Sequence, residues 1–242
     1  MKSIKNILMA CTAILLLFSM CKKNTTANNA TTNNNTNSTS GYYSILNIYG
    51  SQYVNGNALT TLGVNSGPVF FSSVPVTTNT ITSYVKVTSL SLNGICFKYY
   101  SPGYQDSIFS ATTIPSTWAV VGLGVIPSFT YINNNPMPTY TGYTSLPDTI
   151  YKSQQNTIQI TGITGSDETS VSVLDGGNGK VTQTLALGAT SISFSASSLA
   201  SLMIGNNAGI SIICVKNNVQ TFSGKQFNFP FTYLVNKTIY IK

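Results

Sequence analysis

The sequence contains neither histidine nor arginine, and charged residues fill only 7% of its 242 positions, against roughly 25% in an ordinary soluble domain. Without histidine the usual general base and the commonest transition-metal ligand are missing; without arginine so is the bidentate clamp for phosphate and carboxylate. Most hydrolase and transferase mechanisms thereby lose a part, so the body reads as non-enzymatic, with no metal or cofactor expected. All twelve basic residues are lysine, and the acids are Asp106, Asp148, Asp167, Glu168 and Asp175. A two-carboxylate glycosidase stays arithmetically open, and a hydrolase using acids such as Asp106 or Asp148 is the catalytic rival. Beyond Lys23 the lysines stand singly. A nucleic-acid surface needs clustered cations to release counterions along a backbone, so nucleic acid is excluded as a partner. Ser, Thr and Asn must keep this surface wet.

Long apolar runs are missing too. The one apolar stretch, residues 7–18, follows Lys2 and Lys5 and is about twelve residues long. That is the shape of a secretory signal, and it is too short to cross a bilayer, which takes roughly twenty residues. Two cysteines compete to carry a lipid behind it. Cys11 closes Leu8-Met9-Ala10, the better lipobox spelling, but cleavage there leaves almost no apolar segment before it and exposes one behind it. Cys21 closes the poorer Phe18-Ser19-Met20, yet it has the full apolar segment before it and Lys22-Lys23-Asn24 after it. Context outweighs spelling: Cys21 is expected to be the lipidated residue and 1–20 the signal peptide. A signal peptidase I substrate with an incidental Cys21 is the alternative.

Residues 24–40 are drawn only from Asn, Thr, Ser and Ala. With no apolar periodicity to repay ordering entropy, 21–40 is expected to be a lipidated N-terminus and disordered linker, reaching roughly 25 Å as a flexible coil. The Cys-Lys-Lys-Asn start, the Asn/Thr spacer and the β-rich body resemble the uncharacterised lipoproteins of the Bacteroidetes. That resemblance implies acylation at Cys21 and residence at the outer membrane. Some members reach the cell surface by acidic residues just after the cysteine; here Asn24 and Thr25 stand there, so surface and periplasmic orientations both stay open. The expected partners are the membrane, through the lipid, and glycans or other envelope proteins, through the body.

From Gly41 onward short alternating runs are broken by Gly, Pro and Asn, which predicts an all-β fold. Leu90 and Leu92 lie on the other parity from Val85 and Val87, so a bulge or turn is expected near Ser89. Pro136, Pro138 and Pro147 mark a long connection, and the body is divided there into two tandem β-sandwich-like domains, 41–146 and 147–242. The second has turn signals every 8 to 12 residues, the pattern of an immunoglobulin-like sandwich, with one helical turn expected within 196–203. Its cleanest signal is the shared parity of Phe227, Phe229, Phe231, Tyr233, Val235, Ile239 and Ile241, which puts them on one buried face. Pro230 predicts a break or an edge there.

Few motifs carry chemistry. Ser83-Tyr84-Val85-Lys86 spells Ser-x-x-Lys, but on a strand its two ends point to opposite faces. Asp175-Gly176-Gly177-Asn178-Gly179 reads as a hairpin turn; as a calcium loop it would need six to eight oxygen ligands. Cys96 and Cys214 are expected to be buried free thiols, and Trp118 to be core. Tyrosines concentrated in the first half, among them Tyr99 and Tyr100, admit a glycan-binding or adhesive face as the alternative function. Asp106-Ser107-Ile108 and Asp148-Thr149-Ile150 match the Asp, Ser/Thr, aliphatic triplet of Bacteroidetes O-glycosylation, making Ser107 and Thr149 candidate acceptors.

Overall fold

The computed structural model describes residues 42–55, 58–76, 83–105 and 114–242. The leader, Cys21, the linker and the stretch holding Asp106 and Ser107 lie outside them. Within the described residues the fold is all-β, with sheets packed face to face around two apolar cores. The exceptions are a 3-10 turn at Gly142–Ser145 and one helical turn at Ala196–Leu199, whose N-cap Ser195 accepts the amide of Ser198.

In the first lobe a five-stranded sheet runs in the order Val219–Phe222, Lys225–Asn228, Tyr42–Ile45, Phe70–Val76 and Tyr84–Val85. It faces a four-stranded sheet ordered Phe129–Asn133, Ser116–Val121, Ser89–Leu92 and Ile95–Cys96. Phe71, Phe227 and Phe229 from one side and Leu90, Leu92 and Trp118 from the other fill the space between them. The parity change near Ser89 is explained here: Tyr84–Val85 belongs to one sheet and Ser89–Leu92 to the other, so the chain crosses the sandwich between them.

The second lobe is built on a seven-stranded sheet. Lys180–Leu185, Glu168–Leu174, Gly205–Lys216 and Phe231–Ile241 are followed by Ile48–Asn55 and Ala58–Ser66, with Thr149–Ile150 also pairing with Phe231–Ile241. Opposite lies the ladder of Asn156–Gln159 with Ser191–Phe194. Ile158 and Phe194 pack there against Val171, Ile212 and Val235.

The boundary expected at residue 147 is therefore redrawn. Ile48–Asn55 runs parallel to Phe231–Ile241, with Ile48 opposite Phe231 and Val54 opposite Lys237. Tyr42–Ile45 runs parallel to Lys225–Asn228. Each lobe thus takes strands from both halves of the chain, so the two cores are not two sequential domains. Met137, on the proline-rich connection, packs against both cores. Its sulfur fits because Gly50 lies beneath it: a β-carbon there would come within 2.4 Å of that atom.

The C-terminal stripe is buried as its parity predicts, from Phe227 to Ile241. Pro230 falls in the break between Lys225–Asn228 and Phe231–Ile241, where a residue lacking an N–H costs no ladder bond. One further residue shares the stripe. Lys237 is 4% exposed in the middle of it, the one charged side chain among the stripe's own residues from Phe227 to Ile241.

Candidate functional site

Four of the five acids are described, and three of them serve the backbone or a lysine. Asp175 is 6% exposed. Its Oδ1 accepts the amides of Gly177, Asn178 and Gly179 at 2.8, 3.0 and 2.7 Å, and its Oδ2 accepts the amide of Met203 at 2.8 Å. The Met203 amide above all, together with the three turn amides, holds its carboxyl below the usual aspartate range despite burial. Four N–H dipoles aimed at one carboxylate occupy the lone pairs that a calcium ion would need. The hairpin-turn reading of 175–179 is the one the hydrogen bonds match. No group of three or more His, Cys, Asp or Glu placed to hold a metal occurs among the described residues.

Asp167 is similarly engaged: Oδ1 lies 2.7 Å from Lys216 Nζ and Oδ2 accepts the Asn217 amide at 2.9 Å. Asp148 lies 2.8 Å from Lys237 Nζ, which also donates to the Leu146 carbonyl at 2.5 Å. Lys237 thereby ties the 146–150 segment onto the sheet. Replacing it with methionine keeps the aliphatic packing but leaves the Leu146 oxygen without its donor, a loss of about 1–3 kcal/mol. The midpoint of a urea titration checks this, the expected result being a lower midpoint at unchanged slope.

Thr149 stands beside that tie, pairing with Tyr240 in a parallel ladder. Ile150 turns into the core, and Thr149, half-buried, alternates away from it. Ser107 and Asp106 cannot be compared, since they lie outside the described residues. Ser83 and Lys86 flank the Tyr84–Val85 strand, and the Lys86 ammonium lies 5.0 Å above the ring of Tyr99. Trp118 is fully buried. Both body cysteines are free, but only Cys214 is buried, its thiol pushed up to about 11 by burial. Cys96 is exposed, correcting the expectation of two buried thiols. It ends the short strand Ile95–Cys96, which lies at the edge of its sheet among the described residues.

The most unusual surface of the molecule is the outer face of the five-stranded sheet. Phe70 and Phe71 are consecutive on one strand, so one ring must face the core and the other must face out. Phe71 is fully buried with Ser44 opposite it; Phe70 points outward with Ile45 opposite, and Ile45 is 41% exposed. On the other flank Val69 bridges Tyr104, which sets Phe70 against Gly103 one step along. Gly103 in turn faces Tyr100 across the hairpin of Lys98–Tyr100 and Gly103–Gln105. Ile45, Phe70, Gly103 and Tyr100 therefore form one row. Tyr84 joins it through an edge-on contact with Phe70, centroids 5.8 Å apart.

Gly103 makes room for the Phe70 ring in the row. A β-carbon there would lie 2.4 Å from the Phe70 ring, so only glycine lets that ring pack against the hairpin. Beneath the shelf the hairpin is anchored by Tyr104, whose buried hydroxyl accepts the Val87 amide and donates to the Val87 carbonyl. Tyr84 and Tyr100 are 46% and 53% exposed. Tyr100 was among the tyrosines singled out from sequence; Phe70 and Tyr84 were not. The adjacent Phe70-Phe71 pair was the available signal.

A cleft of about 340 Å³ opens in the other lobe between residues 160–169 and 184–190. Glu168 lines it and is the one acid without a partner among the described residues, beside the ion-paired Asp167 and the exposed Leu187. No helix among the described residues is long and apolar enough to cross a membrane. No protein-family model, curated protein or solved structure matches the chain.

Proposed function

We propose that this protein is a lipoprotein of the cell envelope, anchored at the outer membrane through a lipid on Cys21, whose body has a structural or binding role and no enzymatic one. The observation that carries the proposal is the order of segments: the charged start, the apolar stretch 7–18, Cys21, and a polar linker ending where the first strand begins at Tyr42. The engagement of Asp148, Asp167 and Asp175 in internal contacts supports the non-catalytic part. A carboxylate committed to a lysine or to backbone amides is a poor general base. The likeness of residues 147–242 to an immunoglobulin-like module belongs to the same proposal and is supported by the helical turn Ala196–Leu199 ahead of the strand Gly205–Lys216. O-glycans at Ser107 and Thr149 would help wet a surface so short of charge.

A glycan-binding or adhesive module is the second reading, and the exposed aromatic row of the first lobe favours it. The anchor is tested by mass spectrometry of the mature N-terminus after cell fractionation. An N-terminal Cys21 peptide carrying acyl mass is expected, with the Cys21→Ala chain released from the membrane fraction. An unmodified Cys21, or cleavage elsewhere, would remove the anchor.

A further inference from the structure

We infer that the row Ile45, Phe70, Gly103 and Tyr100, with Tyr84 beside it, is a binding shelf for the pyranose rings of a polysaccharide. This deepens the reading of the body as a binding module and does not depend on the lipid. The outer face of a sandwich sheet is normally its wet face. Here it carries two aromatic rings on the row, a third against them, and an exposed isoleucine.

The chemistry of the surroundings selects the ligand. Four adjacent strands at ~4.8 Å spacing make the row about 14 Å long, enough for a short oligosaccharide lying across them. A pyranose presents an apolar C–H face to a flat ring and hydroxyls around its rim. The hydroxyls of Tyr84 and Tyr100 have no partner among the described residues. Lys98 and Gln105 pair across the same hairpin two positions from Tyr100 and Gly103, which puts their exposed side chains on the shelf's own face. They supply an ammonium and an amide where a sugar's hydroxyl or carboxylate would lie.

A bilayer would leave the two tyrosine hydroxyls and the Gln105 amide without hydrogen-bond partners, whereas a sugar's hydroxyls supply them.

The test uses the full-length protein in detergent, run through native gels containing a neutral β-glucan, a polymer of N-acetylglucosamine, or polygalacturonate. Retardation by at least one is expected, with Tyr84→Ala and Tyr100→Ala each weakening it about tenfold at unchanged circular dichroism. Dependence on Lys98→Gln would assign the acidic polymer, and indifference to it a neutral one; either supports the shelf. Free migration in all three gels would overturn the inference, as would binding that survives both tyrosine substitutions. A change from dimer to monomer in the tyrosine variants, without any glycan effect, would assign the face to a second copy and likewise overturn it. The anchor is judged separately, by the mass of the Cys21 peptide, so failure of one reading is distinguishable from failure of the other.

Discussion

Phe231→Ala is expected to destabilise both lobes at once, by about 3–5 kcal/mol. Phe231 is fully buried in the first core, while Tyr233 and Val235 on the same strand belong to the second. The strand is held on one side by Gly205–Lys216 and on the other by Ile48–Asn55. A cavity at its start therefore weakens the element on which both cores close. A loss of this size is a large part of the 5–15 kcal/mol by which a domain is usually stable. Trp118 is the only tryptophan and sits in the first core, so its fluorescence follows that lobe, while far-ultraviolet circular dichroism follows both. In urea the two signals should give one midpoint, and the substitution should lower it for both. A second dichroism step left in place by Phe231→Ala would mean that the lobes unfold independently and that the shared strand does not couple them.

Asp175→Ala should cost about 3 kcal/mol, since four charge-assisted hydrogen bonds are lost at a buried position. That carboxylate's two oxygens carry the hydrogen bonds that join the turn 175–179 to the segment at Met203. Gly179 adds a steric reason for the local sequence, because a β-carbon there would come within 2.2 Å of Asp175 Oδ2. The effect depends on pH in a definite direction. The folded-state pKa is depressed, so the stabilisation is fully present above the ordinary aspartate value of about 3.9 and disappears as pH falls below it toward the folded value. Thermal melts of the wild type should therefore lose stability between about pH 4 and more acid conditions. Asp175→Ala should lose less over that interval and should differ most from the wild type near neutrality. Equal acid sensitivity of the two proteins would show that Asp175 is not the group responsible. Asp175→Asn should fall between them, since its amide keeps one acceptor oxygen but turns a donor toward one of the four N–H groups.

Phe70 and Lys237 mark the limits of reading residues one strand at a time. The Phe70-Phe71 pair requires one ring on each face of a strand, yet an outward aromatic becomes a shelf only when Gly103 and Tyr100 are brought beside it. They are thirty or more positions away in the chain. Lys237 falls on the parity of the buried stripe, but parity alone does not supply the Leu146 carbonyl and the Asp148 carboxylate that make its burial tolerable. The parity break at Ser89 was legible; that it marks a crossing between two sheets was not.

The sequence by itself determined the composition-level properties: an all-β body, a buried C-terminal stripe broken at Pro230, a turn at 175–179, and a chain so poor in acids that most of them could be accounted for individually. These follow from local rules, because side-chain alternation, proline's missing donor and glycine's freedom act over a few residues. Only the tertiary structure decided which strands pair, that residues 48–54 lie along 231–237, that two cores share one strand, and which aromatic rings meet on the outer face. An alternating strand has the same pattern whichever neighbour it takes. Its partner is chosen by the packing of the whole chain, which no local spacing encodes.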